Sequence, residues 1–416
     1  MQSDLLSLNE AINKIKSNFQ KISDEDIFLK DALGRCLSKP IISEVDNPKY
    51  DVSSMDGYAI NYNDFDILKD SKNKKFKIVG ESSAGIPYPK KINTLETVRI
   101  FTGAKLPKGS NTVIIQEDVK VSKNDNSIII NENPTNGQFV RKKGLDFKKN
   151  NILFKEGTIL KSRHLGSIAM TGQVWLTVSR KPTVSILSTG NEILKVGEQI
   201  SKDKIPNGNS LMLASMIREF GGTPRILPVV KDDLNEIHKV LENALDCDLI
   251  ITTGGVSVGK YDLIHKALSK FENTIEFWKI AMRPGKPLLF SRINNTPLIG
   301  LPGNPVSTGV CSLIFVNLAI RTMLGNNSAF PILENGILNG KLPKNDKRLD
   351  FIRAYSIYKN GVLNVTPFNI QDSSMITTFS HANCLILREP FEKSIDNGQN
   401  IKVFKFPNNI WLVIYL

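Results

Sequence analysis

The strongest constraint on the fold lies in residues 181–265, where short apolar runs alternate with helical patterns and each run ends in a polar turn. Residues 184–187 lead into Ser188-Thr189-Gly190. A helical pattern over 210–220 stops at Gly221-Gly222, and glycine suits a helix C-terminus. The next strand is expected over 226–230. Asp232-Asp233 then opens a helix in which Leu234, Ile237, Leu241 and Leu245 share a face. Residues 249–251 run into Thr252-Thr253-Gly254-Gly255. Continuous apolar strands separated by helices predict a parallel sheet covered on both faces. Ligands of such sheets bind beyond the carboxyl ends of the strands, and the polar turns at 188–192, 231–233, 252–262 and 300–307 sit there.

The last of these turns reads Pro302-Gly303-Asn304-Pro305-Val306-Ser307 and precedes an apolar helix to about Leu324, closed by Gly325. Asn304 suits the N-cap and Pro305 the first helical position. A glycine beside a helix start leaves N–H groups for an anion.

The flanks read differently. Ser7 and Glu10 fit a capping box, and Leu8, Ile12, Ile15 and Phe19 follow at helical spacing. Residues 48–148 carry short β-like runs at 76–79, 98–101, 113–116 and 128–130, broken by Gly, Pro, Asn and Lys. Near the C-terminus, runs at 354–359 and 362–365 flank Asn360-Gly361, a strong hairpin signal, and Asp396-Asn397-Gly398 marks a second turn. The expected fold class is therefore α/β plus β in several domains. A doubly wound parallel-sheet domain at 181–329 stands between β-rich domains at 48–148 and 330–416, with a helical linker domain from 1–47 and 149–180.

Composition narrows the partners. The formal net charge is +13, which favours anionic ligands. The lysines are dispersed and no aromatic-basic interleaving appears, so no nucleic-acid partner is expected. The isolated cysteines Cys36, Cys247, Cys311 and Cys384 form no CxxC pair, which argues against a zinc site or a disulfide framework. No apolar run is long enough for a membrane partner and no secretory signal opens the chain, so a cytoplasmic address is expected.

Several motifs carry chemistry. Thr252-Thr253-Gly254-Gly255-Val256-Ser257-Val258-Gly259, followed by Asp262, can wrap a phosphate with N–H and O–H donors. The plainer alternative is a tight structural turn. Asp56, Asp146, Glu192, Asp232 and Asp262 all lie in turns, where they could hold Mg²⁺ against a pyrophosphate or simply cap helices. Lys279, Arg283 and Lys286 cluster around Pro284-Gly285-Lys286-Pro287, a stiff loop suited to an oxyanion. The histidines His164, His238, His265 and His381 stand apart, so no triad is expected.

Together these blocks resemble the MoeA family, the molybdopterin molybdenumtransferases, which includes the C-terminal domain of gephyrin. The likeness covers nearly the whole chain. It runs through Ser54-Met55-Asp56-Gly57-Tyr58-Ala59, Arg99-Ile100-Phe101-Thr102-Gly103-Ala104, Val113-Ile114-Ile115-Gln116-Glu117 and Arg141-Lys142-Lys143-Gly144-Leu145-Asp146. It continues through Ser188-Thr189-Gly190-Asn191-Glu192, the Thr-Thr-Gly-Gly-Val-Ser loop, the Pro-Gly-Lys-Pro loop and Leu301-Pro302-Gly303-Asn304-Pro305.

The resemblance implies an elongated four-domain homodimer whose sheet domain is MogA-like. It implies an enzyme that takes adenylylated molybdopterin and molybdate, inserts the metal into the dithiolene, needs Mg²⁺ and releases AMP. Transient contact with other enzymes of molybdenum-cofactor assembly is also implied. Residue by residue, it makes Asp56, Thr102, Asp146, Glu192, Asp232 and Asp262 functional polar residues, with Glu192, Asp232 and Asp262 as metal ligands. Thr253, Gly254, Gly255, Ser257, Asn209, Lys279, Arg283, Lys286, Pro302 and Pro305 become substrate contacts. Arg283, Lys286, Arg353 and Ser373 become molybdate contacts, beside the helix start at 304–306. Two positions depart from the family pattern: Arg283 stands where Lys is usual and Asn191 where Asp is common. The competing readings are a MogA-type molybdopterin adenylyltransferase, which would lack the Met-Asp-Gly-Tyr-Ala block, and a non-enzymatic molybdopterin-binding scaffold.

Overall fold

The computed structural model describes residues 5–70, 74–195, 197–200, 202–255, 263–326 and 333–406. Three six-stranded sheets dominate the described residues. The central one runs Thr223–Ile226, Thr183–Ser188, Leu249–Thr253, Thr296–Leu301, Leu289–Ile293, Asn273–Trp278. Its first four strands are parallel neighbours. Successive side chains on a strand point to opposite faces. Ile186, Ile251 and Ile299 accordingly pack with Leu213, Ile217 and Phe315, whereas Leu187, Ile250 and Leu298 pack with Ile237, Leu241 and Ile264. The doubly covered sheet expected from the apolar runs is thus present.

Two expectations for this sheet need correction. The strand placed at 226–230 is Thr223–Ile226, because the preceding helix ends at Gly221 in the left-handed region (φ 98°) and the chain turns directly into the sheet. Pro228 cannot donate to a ladder, and Val230 makes only an isolated bridge to Thr189. The sheet is also not wholly parallel. Asn273–Trp278 and Leu289–Ile293 join antiparallel, the latter by a tight hairpin through Asn294 at φ 51°.

Behind the sheet lies one continuous helix, Pro305–Met323, with a π turn over Ser312–Val316. Against the expectation that nothing was long enough, its 19 residues are long and apolar enough to cross a membrane. However, 89 % of its apolar window is buried inside the protein, so it is a core helix. The N-terminal helix Leu8–Asn18, capped by the Ser7–Glu10 box, packs Ala11 and Ile15 into this same core.

The first strands return to a later part of the chain. Asp24–Phe28 pairs with Trp175–Ser179, and Ile41–Ile42 pairs with Ile152–Phe154. Between them is inserted the second sheet, ordered Thr112–Ile115, Gly57–Ile60, Glu96–Ile100, Lys75–Ser82, Ser127–Ile130, Val119–Ser122. Gln116, expected at the end of a strand, instead starts a 3-10 turn.

The third sheet runs Met282–Arg283, Leu349–Lys359, Val362–Pro367, Leu333–Leu338, Asn400–Lys405, Cys384–Arg388. A further pairing between Leu349–Lys359 and Cys384–Arg388 closes it into a small barrel. The Asn360-Gly361 hairpin is present, with φ of 52° and 77°. The strand Met282–Arg283 reaches this sheet from the middle of the chain and pairs parallel with Leu349 and Asp350.

Candidate active site

Two cavities lie at the carboxyl edge of the central sheet. The first, of about 480 Å³, is lined by Ser188, Thr189, Glu192, Asn209, Thr253, Gly254, Gly303, Pro305 and Ser374 among others. Asn209 ties its turns together: its amide donates to Thr253 Oγ1 (3.1 Å) and to the Gly303 carbonyl (2.7 Å). The Thr253 hydroxyl donates in turn to the Pro302 carbonyl at 3.4 Å. Gly254 has φ 86°, and a Cβ there would stand 2.4 Å from the Thr189 carbonyl oxygen, so only glycine lets the two turns approach. A Cβ on Gly255 would meet Thr189 Oγ1 at 2.8 Å.

The hydroxyls of Ser188, Thr189 and Thr252 are buried with no hydrogen-bond partner among the described residues. A buried hydroxyl left unpaired costs about 1–3 kcal/mol. Ser188 and Thr189 also line the cavity, which suits it to a polar guest with many acceptors.

The second cavity, of about 750 Å³, lies between the Pro284-Gly285-Lys286-Pro287 loop and the barrel. Its basic lining comprises Arg283, Lys286, Lys341, Lys344, Arg348, Arg353 and Arg388, against Asp350 and Asp372. Several of these charges are already matched. Arg348 pairs with Asp346, Arg388 with Glu392 and Lys341 with Asp396. Lys286, Lys344 and Arg353 have no ion pair among the described residues. Arg353 is 1 % exposed, and burial pushes its guanidinium below the ordinary arginine value. A buried cation in a basic cavity is costly unless an anion joins it.

The two cavities meet at Asn304, which lines both. The Asn304 side chain donates to Ser373 Oγ at 2.8 Å, and the Val306 N–H donates to the Ser373 carbonyl at 3.0 Å. Ser373 faces the larger cavity and Ser374 the smaller.

Most residues singled out in the sequence fall on these surfaces. Glu192, Asn209, Thr253, Gly254 and Pro305 line the smaller cavity, and Arg283, Lys286, Pro302, Arg353 and Ser373 the larger. Asp56 and Thr102 meet each other elsewhere, on the inserted sheet, where Thr102 donates its N–H and hydroxyl to Asp56 at 2.8 Å each. Those bonds hold the Asp56 carboxyl below its ordinary value. Asp146 accepts from the Asn47 amide at 3.0 Å, lining neither cavity. Asp262 and Ser257 lie outside the described residues.

Three expectations are narrowed by the geometry. Arg283 is not a free cation: it forms salt bridges with Asp346 (3.2 Å) and Asp350, because its strand lies beside that of Asp350. Lys279 lines neither cavity; its φ of 78° turns it aside and its ammonium sits 4.1 Å from the centre of the Trp278 ring. At the helix start over 304–306 the Val306 N–H is already taken by the Ser373 carbonyl, which leaves fewer donors for an anion. Of the two readings open for Asp232, the helix cap is not the one the structure shows: Asp233 accepts from Asn235 and Glu236 at 2.9 Å, while Asp232 only donates its N–H to Asn191 Oδ1. No group of three metal-ligating side chains occurs among the described residues, so Glu192 and Asp232 do not form a complete cage.

Sequence reasoning missed Gln371, Asp350, Lys344 and the Asn304–Ser373 contact. Gln371 and Asp350 carried no signal, since their partners lie 18 and 67 residues away.

A doubly wound sheet with a hydroxyl-lined cavity at its carboxyl edge, next to a cationic one, has donors and charge that suit an anionic ligand. Residues 185–322 match the model of a probable molybdopterin binding domain. Residues 6–172 match the MoeA N-terminal region (domain I and II), and residues 335–406 the MoeA C-terminal region (domain IV). The chain is 31 % identical to the molybdopterin molybdenumtransferase of Haemophilus influenzae, over 97 % of this chain and 99 % of that one. It is 30 % identical to that of Bacillus subtilis, over 96 % and 93 %. A solved MoeA protein of molybdopterin biosynthesis from Pyrococcus horikoshii aligns with a TM-score of 0.83 and 27 % identity, covering 97 % of this chain and 100 % of that one. The chain belongs to the MoeA family of molybdopterin molybdenumtransferases.

Proposed function

We propose that this chain inserts molybdenum into the dithiolene of adenylylated molybdopterin with release of AMP, in molybdenum-cofactor assembly. The observation that carries the reading is the contact of two unlike cavities at Asn304, one with hydroxyls that lack a hydrogen-bond partner and one with cations that lack an ion pair among the described residues. Ser188 and Thr189 hold the phosphate of the pterin substrate through their hydroxyls and the Gly254 turn through its N–H groups, with Thr253 fixing that turn. Lys286 and Arg353 hold molybdate, a substrate whose charge complements theirs. Asn304 and Ser373 stand between the two and orient one substrate toward the other. Thr102 fixes the Asp56 carboxylate in direction through its two hydrogen bonds.

Mg²⁺ suits the donors available. That ion takes one or two carboxylates and completes its shell with water and phosphate oxygens rather than a protein cage. Glu192 is exposed and unpaired among the described residues, and the Asp232 carboxylate is free of capping. Glu192, Asp232 and Asp262 would hold the ion, which would supply charge neutralisation for the departing AMP.

The working form we infer is a homodimer in which the sheet carrying Asp56 and Thr102 serves the partner's central sheet. Neither residue lines either cavity of its own chain, which supports this. The four free cysteines suit a reducing, cytoplasmic address. The division into domains at 47, 148, 180 and 329 is proposed on the same footing. Measuring AMP release from adenylylated molybdopterin with molybdate, with tungstate and with neither tests the activity. Release that ignores both oxyanions would sink it.

A further inference from the structure

Arg353 is one of the largest fully buried side chains in the protein and has no carboxylate within ion-pair distance among the described residues. The Asp372 carboxylate is held by Ser374 instead, through the N–H at 2.8 Å and the hydroxyl at 2.6 Å, and acts on Arg353 only as a charge at longer range. What holds Arg353 is a neutral amide. Gln371 Oε1 accepts from the Arg353 N–H (3.0 Å) and from its Nε (3.3 Å). Gln371 Nε2 donates to the carbonyls of Arg353 (3.0 Å) and Phe368 (2.7 Å). Both ends of the amide meet groups of the right polarity, which fixes its orientation. The amide acts as a short stretch of backbone, extending the edge of the strand Leu349–Lys359 beyond Pro367, where the neighbouring strand ends. The remaining guanidinium nitrogens donate to the carbonyls of Met375 (3.3 Å) and Ile370 (3.4 Å). Every hydrogen-bond partner of this cation's side chain among the described residues is therefore neutral, and both Arg353 and Gln371 line the larger cavity.

We propose that Gln371 is a positioning residue for the oxyanion substrate: its neutral amide aims the Arg353 guanidinium without setting a negative charge against it. The proposal rests on reading the larger cavity as the molybdate site. Glutamate has the same shape as glutamine and would keep the acceptor toward Arg353. It would also place a full negative charge there, neutralising the cation and repelling the incoming oxyanion. Methionine keeps the length and removes every hydrogen bond without adding charge.

These two variants separate charge from structure. In Gln371→Met the amide's aim is lost, so the KM for molybdate should rise about threefold or more, while the KM for adenylylated molybdopterin stays within about twofold. In Gln371→Glu, which retains more hydrogen bonds, the molybdate KM should rise about tenfold further, with a parallel loss in equilibrium dialysis of molybdate against the full chain. Glu also sets an oxygen against the Arg353 and Phe368 carbonyls, so a purely structural role weakens both substrates alike instead of molybdate alone. Glu binding molybdate as well as Met, or Met binding it like the parent chain, overturns the proposal. If the Glu variant does not fold, the Met variant decides: equal shifts in both KM values overturn it, and a shift confined to molybdate supports it. A parent chain that retains no molybdate on dialysis overturns the reading of the cavity together with the role of Gln371.

Discussion

One carboxylate oxygen of Asp56 accepts from both the N–H and the hydroxyl of Thr102, each at 2.8 Å. The backbone bond contributes most to lowering the Asp56 pKa and the hydroxyl bond next. A carboxyl with a lowered folded value contributes stability above its unfolded pKa and loses it as pH falls through the folded one. Thr102→Val should therefore move the Asp56 pKa part of the way back up, toward the ordinary value of 3.8. Carboxyl-carbon NMR titration reads it directly. An unmoved Asp56 signal would show that the hydroxyl bond is not formed in solution.

If the inserted sheet completes its partner's site, mixing Asp56→Ala and Asp262→Ala proteins should restore part of the activity. Each heterodimer would carry one intact composite site. The check is AMP release before and after subunit exchange. A mixture as inactive as its components would exclude a site shared between subunits.

Lys286 is exposed on a stiff loop, with no ion pair among the described residues. A charge-assisted contact of this kind is worth about 1–3 kcal/mol. Lys286→Ala should raise the molybdate requirement accordingly and leave affinity for the pterin adenylate nearly unchanged. Equal weakening toward both substrates would make Lys286 a general phosphate contact.

Adjacent aspartates divide two roles. Asp233 caps the helix Leu234–Glu242, so Asp233→Ala should cost about 1 kcal/mol of stability and little activity. Asp232 makes no cap, so Asp232→Asn should melt like the parent chain yet lose most AMP release, with partial recovery at high Mg²⁺. Thermal melting and AMP release on both variants would show the separation, and full turnover in Asp232→Asn would remove that residue from the site.

Local signals in the sequence were reliable where the deciding physics was local. The Ser7–Glu10 box, the Asn360-Gly361 hairpin and the alternation of sheet faces all follow from neighbours a few residues apart. The antiparallel strand Asn273–Trp278 escaped notice because its burial is uneven and its partner comes later in the chain. The same limit applied to the site. The turns bearing Thr253, Gly254 and Lys286 were legible as motifs. That Arg283 is engaged by Asp350, and that Ser373 takes the Val306 N–H, depends on contacts between distant elements.

The strand Met282–Arg283 belongs to the barrel although the rest of the barrel begins fifty or so residues later, at Leu333. Severing the chain between 326 and 333 would leave the central piece with a strand that has no sheet. The C-terminal piece would keep an open edge at Leu349 and Asp350, and such edges invite pairing with foreign chains. Asp350, with Arg283 gone, would carry a buried carboxylate without its cation. Expressed separately, the two pieces should aggregate, whereas co-expressed they should dock and regain solubility. The chain is thus laced rather than jointed at this point, and the Pro-Gly-Lys-Pro loop is held at both ends of the lacing.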